Sequence, residues 1–273
     1  MNRLSISRAW DETRAALRRD GRLFTSIALA MIALPTVFTT VVMPAGLSET
    51  TAASSDVLII LASLIALAGQ LALIRLALPP AISVGSGIMH GFRRLPWYLL
   101  AVVLVCGALL LAAIPFGAVL ALLGIPVDPA AKQYTPPVLA ASLLYFALIL
   151  FVASRVILAA PVASAEANGP ITILRRSWAL SSGNGWRLLG FLLLFFIGAL
   201  VLMIAVQSVA TLLVSVALGP LQPMSPSALV VGLVQALTNA AISTLFAVML
   251  ARIYAQLSGR SDVQPASVPN SGT

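Results

Sequence analysis

Six stretches of this chain stay apolar for at least as long as a bilayer is thick, which restricts the fold before any motif is considered. They run from Leu23 to Met43, Val57 to Leu78, Trp97 to Leu123, Val138 to Ala159, Leu188 to Leu218 and Ser227 to Ala251. A hydrocarbon core of ~30 Å takes about 20 helical residues to cross. Inside lipid no water is present to bond the backbone, and a helix satisfies its own N–H and C=O groups. The expected fold class is therefore all-α, a polytopic integral membrane protein with six transmembrane helices in a single domain, 1–259. Composition agrees, because hydrophobic residues make up 60% of the chain and charged residues only 9%, where a water-soluble domain carries roughly a quarter charged. The fifth run exceeds the bilayer and is expected to tilt or bend. Pro115 is expected to kink the third.

The charges are few but ordered. Fifteen arginines and one lysine face eight acids, for a formal charge of +8. Nucleic acid as a partner would need those cations on one continuous exposed face, whereas here they sit in short groups beside apolar runs. If the N-terminus is inside, all fifteen arginines fall on inner segments or inner span ends, and the outer loops hold only Lys132. The positive-inside rule then places both termini in the cytoplasm, in a bacterial inner membrane. The outer loops, 44–56, 124–137 and 219–226, are too short for a domain. The tail, 260–273, has no periodicity and is expected to be disordered. Residues 5–22 are expected to form an amphipathic interfacial helix capped by Ser7, with Asp11 and Glu12 in its first turn and Ile6, Trp10, Thr13 and Leu17 along one face. A cleaved signal peptide is not expected, since acids and a tryptophan precede the first run and no small-residue cleavage site follows it.

The inner ends of the even-numbered spans resemble one another: IRLALPPAIS around Arg75, SRVILAAPVAS around Arg155 and ARIYAQLSGRS around Arg252. After the first two come prolines, small residues, a basic pair and a tryptophan. With Trp10, Arg18 and Arg19 before the first span, this reads as a threefold repeat of an interfacial segment followed by a helical hairpin. Arg75, Arg155 and Arg252 could simply snorkel to the interface. Alternatively they converge on an anionic group such as a lipid phosphate, which the guanidinium fork suits.

Signs of chemistry are sparse. Cys106 is the only cysteine and His90 the only histidine, so disulfides and metal sites built from several such residues are excluded. His90 lies in GSGIMHG with no carboxylate to orient it, and that segment lacks the Lys-Ser/Thr continuation of a phosphate loop. No acid lies within a span, which removes the usual carboxylate of a proton-coupled transporter. The expectation is a non-enzymatic protein with no cofactor. Inside the spans, Gln207 and Thr211 share one face of the fifth, and Gln235 and Asn239 follow a similar stripe on the sixth. These faces are expected to meet each other or a wet cavity, with Gln70 a lesser candidate of the same kind.

The stretch from Pro161 to Arg187 is the most elaborate inner segment. It holds Glu166, the only acid between Asp128 and Asp262, beside Arg175, Arg176 and Trp178. Pro170 suits a first helical position and SSGNG a stop, so a short interfacial helix is expected, with Ile171, Leu174 and Trp178 on one face. Glu166 is expected to pair with Arg155, Arg175 or Arg176. The run of a proline, Glu166, Gly169, RRSW at 175–178, Leu180, Gly183 and Trp186-Arg187 before a leucine-rich span resembles the membrane domain fused to some bacterial glycerophosphoryl diester phosphodiesterases. That domain also occurs as a stand-alone inner-membrane protein, and the resemblance covers residues 5–257. It implies a polytopic helical domain associated with phospholipid handling. It does not carry over the hydrolysis, which in fused members belongs to a separate soluble domain. The leading expectation is a protein that binds or organises anionic phospholipid headgroups, or a membrane partner, through its basic cytoplasmic rim. A transporter or lipid facilitator with a polar path between spans five and six is the rival, and an accessory subunit of a membrane enzyme a third reading.

Overall fold

A computed structural model describes residues 4–42, 53–79, 82–123, 135–166, 169–219, 222 and 225–259. The expected tail and most of the expected outer-loop residues lie outside these. Every described element is a helix. The chain runs as α1 (Ile6–Ala28), a π-helical turn (Leu29–Ala33) and α2 (Leu34–Val42), then α3 (Ala53–Ala77) and α4 (Val84–Leu122). It continues as α5 (Pro136–Val156), α6 (Ala159–Ala165), α7 (Pro170–Ser181), α8 (Gly185–Leu218) and α9 (Pro226–Ser258). Six helical stretches are long and apolar enough to cross a membrane, one for each apolar run.

The N-terminal segment differs in detail from its expectation. Ser5, not Ser7, caps α1, accepting from the Arg8 amide at 3.4 Å. The acids therefore fall beyond the first turn, and Glu12 instead pairs with Arg8 at 2.8 Å. At Asp20 the backbone leaves helical geometry (φ −116°, ψ 16°), so the segment before it and the span after it are separated by a bend. The buried face is Ala9, Thr13 and Ala16, packed towards α9, while Trp10 is 42% exposed. Close helix packing selects the small side chains on that face and leaves the indole outside. The π-helical turn has a local cause: Pro35 offers no N–H and its ring crowds the carbonyl four residues back. The ladder slips by one residue ahead of it, with the Leu34 amide reaching the Leu29 carbonyl.

The other inner segments take different forms. The residues before the third span are not a separate surface helix, because α4 is one helix of 39 residues that passes through Pro96 and Pro115. At 1.5 Å per residue it is ~58 Å long, far more than the hydrocarbon core is thick. After α5 the chain turns at Ile157 and Leu158 and re-enters a helix, α6, whose residues Ala159 to Ser164 are all buried. The three inner segments thus differ: a bent helix in the first, a continuous helix in the second, and two short helices in the third.

Buried side chains concentrate at the arginine-bearing end. They include Leu71, Leu73 and Ile74 near the end of α3, Phe24 and Ile27 of α1, Leu158 and Val162 around α6, and Leu250, Ile253 and Tyr254 of α9. Helix α9 packs against α1, α2, α3 and α8 and is the central post of this core. At the other end large apolar side chains point outward, among them Leu110, Leu111 and Leu122 of α4 and Leu212, Leu213 and Val216 of α8. Such a surface suits a hydrocarbon solvent. Helices α8 and α9 run antiparallel and are joined by an aromatic cluster in which the rings of Phe195 and Phe246 lie 4.8 Å apart.

Candidate functional site

Arg155 occupies the last turn of α5, where carbonyls have no helical partner. Two hydroxyls of α7 supply one: Ser177 and Ser181 donate to the Arg155 carbonyl at 2.9 and 3.2 Å. This explains why the buried face of α7 is Ile173, Ser177 and Ser181 rather than the expected Ile171, Leu174 and Trp178, since Ile171 and Trp178 are exposed and Leu174 only partly buried. The Arg155 guanidinium lies over the rings of Phe151 and Trp178, 5.2 and 5.5 Å from their centroids. Its Nη1 donates to the Ser181 carbonyl at 3.3 Å, while its Nε is buried with no hydrogen-bond partner among the described residues. Backbone and aromatic rings hold this cation, not a carboxylate.

A cavity of about 340 Å³ opens beside it, bounded by Ser154, Arg155 and the turn from Gly183 to Arg187. Gly183 makes that turn with φ +83°, a conformation in which a Cβ is strained. Gly185 faces the guanidinium, and a Cβ there would make ordinary contact with it, 3.5 Å from Arg155 Cζ. Helix α8 begins here, and the Asn184 side chain makes no capping bond to it. Asn184 Oδ1 instead accepts from the Leu4 amide at 3.3 Å, and Arg187 Nη1 donates to the Leu4 carbonyl at 2.8 Å. Leu4 is thereby pinned beside the cavity. Two guanidinium groups and the positive end of a 34-residue helix meet here, and no acid lines the cavity.

Glu166 follows α6 and does not line that cavity. Its Oε1 accepts from the Tyr254 hydroxyl at 2.9 Å and from Arg176 Nε at 3.4 Å. Of the three expected partners, Arg176 is the one that pairs; Arg175 is exposed. His90 donates through Nε2 to the Ser164 carbonyl at 2.9 Å, and Ser164 in turn donates to the Leu71 carbonyl at 3.2 Å. The lone histidine thus ties α4 to α6.

Among the cavities lined by described residues, Arg155 and Arg252 line different ones. Arg75 folds back to donate to the Leu78 carbonyl at 3.2 Å. Arg252 lines a separate cavity of about 320 Å³ with Arg19, Asp20 and residues 76–79, which has no lining residue in common with that of Arg155. The Nε of Arg252, like that of Arg94, is buried without a partner among the described residues. Gln207, Thr211, Gln235 and Asn239 are all half-buried. Among the described residues, no hydrogen bond joins Gln207 or Thr211 to Gln235 or Asn239 across α8 and α9. Sequence reasoning did not single out Ser177, Ser181, Asn184 or Tyr254. Each looks ordinary in the local pattern, and its partner is distant in the chain.

The architecture defines a helical protein with six segments fit to cross a membrane and a polar, arginine-rich end. Residues 4–257 match a family model described as "Domain of unknown function (DUF7847)", and the chain belongs to that family. No curated protein and no solved structure matches it. Among the described residues, no group of three or more His, Cys, Asp or Glu side chains is arranged to hold a metal ion.

Proposed function

We propose that this protein binds the headgroup of an anionic phospholipid at the arginine-bearing end of its bundle and performs no reaction on it. In this reading that end faces the cytoplasm of a bacterial inner membrane, as the arginine asymmetry requires, and the inner segments lie along its interface. One observation carries the proposal: the cavity beside Arg155 gathers Arg155, Arg187 and the start of α8 with no acid. A phosphate diester is an anion that accepts several hydrogen bonds, and arginine and helix N-termini are its usual donors. Trp178 and Trp186, both exposed, suit the headgroup layer, where indoles concentrate. The resemblance of residues 161–187 to phosphodiesterase membrane domains makes phospholipid the first ligand class to test.

Native mass spectrometry of protein extracted from bilayers of mixed phosphatidylglycerol and phosphatidylethanolamine provides that test. Wild-type protein is expected to retain phosphatidylglycerol preferentially. Arg155→Ala, checked for folding by circular dichroism, is expected to weaken that retention about tenfold, as the loss of one charged hydrogen bond of ~1.5–3 kcal/mol implies. Equal retention by the folded variant would refute the reading.

A further inference from the structure

A cavity lined mainly by α3, α4, α5 and α8 belongs to a different chemistry. It measures about 520 Å³, within the ~300–1,000 Å³ usual for small-molecule sites, and no charged side chain lines it. Its walls are hydrocarbon except at three side chains, Gln70, Tyr98 and Cys106. Gln70 and Tyr98 form no hydrogen bond with any described residue. Both lie near the basic end: Gln70 is five residues before Arg75 and Tyr98 four after Arg94, about 6–8 Å of helix from those charges. From Tyr98 the cavity follows α4 outward to Cys106, eight residues on, or about 12 Å. On α5 it extends from Ile157 back to Phe146. It is therefore long in the direction of a lipid chain, polar at the interface end and apolar along the rest.

We propose that this cavity takes the hydrocarbon chain of a neutral single-chain lipid, such as a long-chain alcohol, whose headgroup oxygen hydrogen-bonds with Gln70 and Tyr98. An amide and a phenol left unpaired at the edge of hydrocarbon are costly, and both can donate to and accept from one hydroxyl. An ionised headgroup does not fit, because no opposite charge lines the cavity to offset its desolvation. This site is separate from the Arg155 cavity in lining residues and in ligand charge.

The only cysteine of the chain lies on the cavity wall and serves as a built-in reporter. Full-length protein in nanodiscs is exposed to a diazirine-bearing long-chain alcohol, and crosslinked peptides and the rate of Cys106 alkylation by a maleimide are measured together. The expected result is saturable labelling of peptides spanning 98–106 and 146–157, competed by unlabelled alcohol and accompanied by slower alkylation of Cys106. The double variant Gln70→Leu/Tyr98→Phe removes two unpaired polar groups from hydrocarbon and so retains the fold. It is expected to bind the probe at least about tenfold more weakly, the equivalent of ~1.4 kcal/mol. Val105→Phe, which fills the cavity and leaves both polar groups in place, is expected to abolish saturable labelling. Unsaturable labelling spread over the outward faces of α4 and α8, undiminished binding by the double variant, or equal competition by the corresponding carboxylate would each overturn the proposal.

Discussion

Gly91→Val is expected to be the most damaging single substitution in this protein, leaving little monodisperse material after extraction. A Cβ built on Gly91 collides with the Ala68 carbonyl oxygen of α3 and lies 3.2 Å from the Ala72 amide nitrogen. These are backbone atoms of a helix and cannot turn aside, so the two helices must separate. Ala68 and Ala72 are both fully buried, and Gly87, one turn before Gly91, faces the Ala72 carbonyl with 3.8 Å to its hypothetical Cβ. The pair Gly87 and Gly91 against Ala68 and Ala72 is the small-residue contact by which membrane helices approach closely. Gly91→Ala alone is expected to cost ~1–3 kcal/mol, the usual penalty of overpacking, and valine adds two further methyl groups to the same collision. Gly87→Ala meets only ordinary van der Waals distances and is expected to be tolerated. Gly107→Ala, with nothing within 4 Å of its Cβ, is expected to be neutral or to stabilise the helix by up to ~1 kcal/mol. The temperature at which half the monodisperse peak is lost on size exclusion ranks the four, and a Gly91→Ala protein as stable as Gly107→Ala would refute this account of the contact.

The same glycines show where sequence reading works and where it stops. The number and extent of the spans were legible because hydrocarbon thickness imposes a minimum apolar length, and all six runs appear as helices. Their inner ends were not. In GSGIMHG the glycines and the histidine lower the hydropathy and suggest a break, yet α4 is helical throughout, because the glycines serve its packing on α3. Pro161 suggested the end of the fourth span. It stands in the first turn of α6, where a missing N–H costs nothing.

The buried faces were misread for a related reason. In water a helix buries its largest apolar side chains. These two short inner segments instead meet their neighbours through small side chains, Ala9, Thr13 and Ala16 towards α9 and Ser177 and Ser181 at the Arg155 carbonyl. Scanning for large hydrophobes therefore selects Trp10, Ile171 and Trp178, which face outward. At the candidate site, the arginines and Glu166 stood out because charges are rare in this chain. What they do depends on residues distant in sequence: Leu4 with Arg187, Ser177 with Arg155, Tyr254 with Glu166. No periodicity records such pairs.

Tyr254→Ala is expected to be the second most damaging substitution, and its comparison with Tyr254→Phe separates packing from polar linkage. The Tyr254 side chain is 0% exposed and lies in the part of α9 that meets α1 and α3. Removing a buried aromatic ring costs ~3–5 kcal/mol. Tyr254→Phe retains the ring and removes the hydroxyl that donates to Glu166 at 2.9 Å, a bond whose charged acceptor sets its contribution at ~1.5–3 kcal/mol. Glu166→Gln changes the acceptor of the same bond. If Tyr254 and Glu166 act as one link between α9 and the turn after α6, the double variant Tyr254→Phe/Glu166→Gln is expected to cost less than the sum of the two single changes, by ~0.5–3 kcal/mol. Arg176 contacts the same oxygen at 3.4 Å but its side chain is 46% exposed, and exposed ion pairs contribute ~0–1 kcal/mol. Arg176→Ala is therefore expected to fall well below Tyr254→Phe. Apparent unfolding midpoints in a single detergent rank the set. A neutral Tyr254→Phe beside a costly Arg176→Ala would show that the acid holds α7 through its ion pair and not α9 through the phenol.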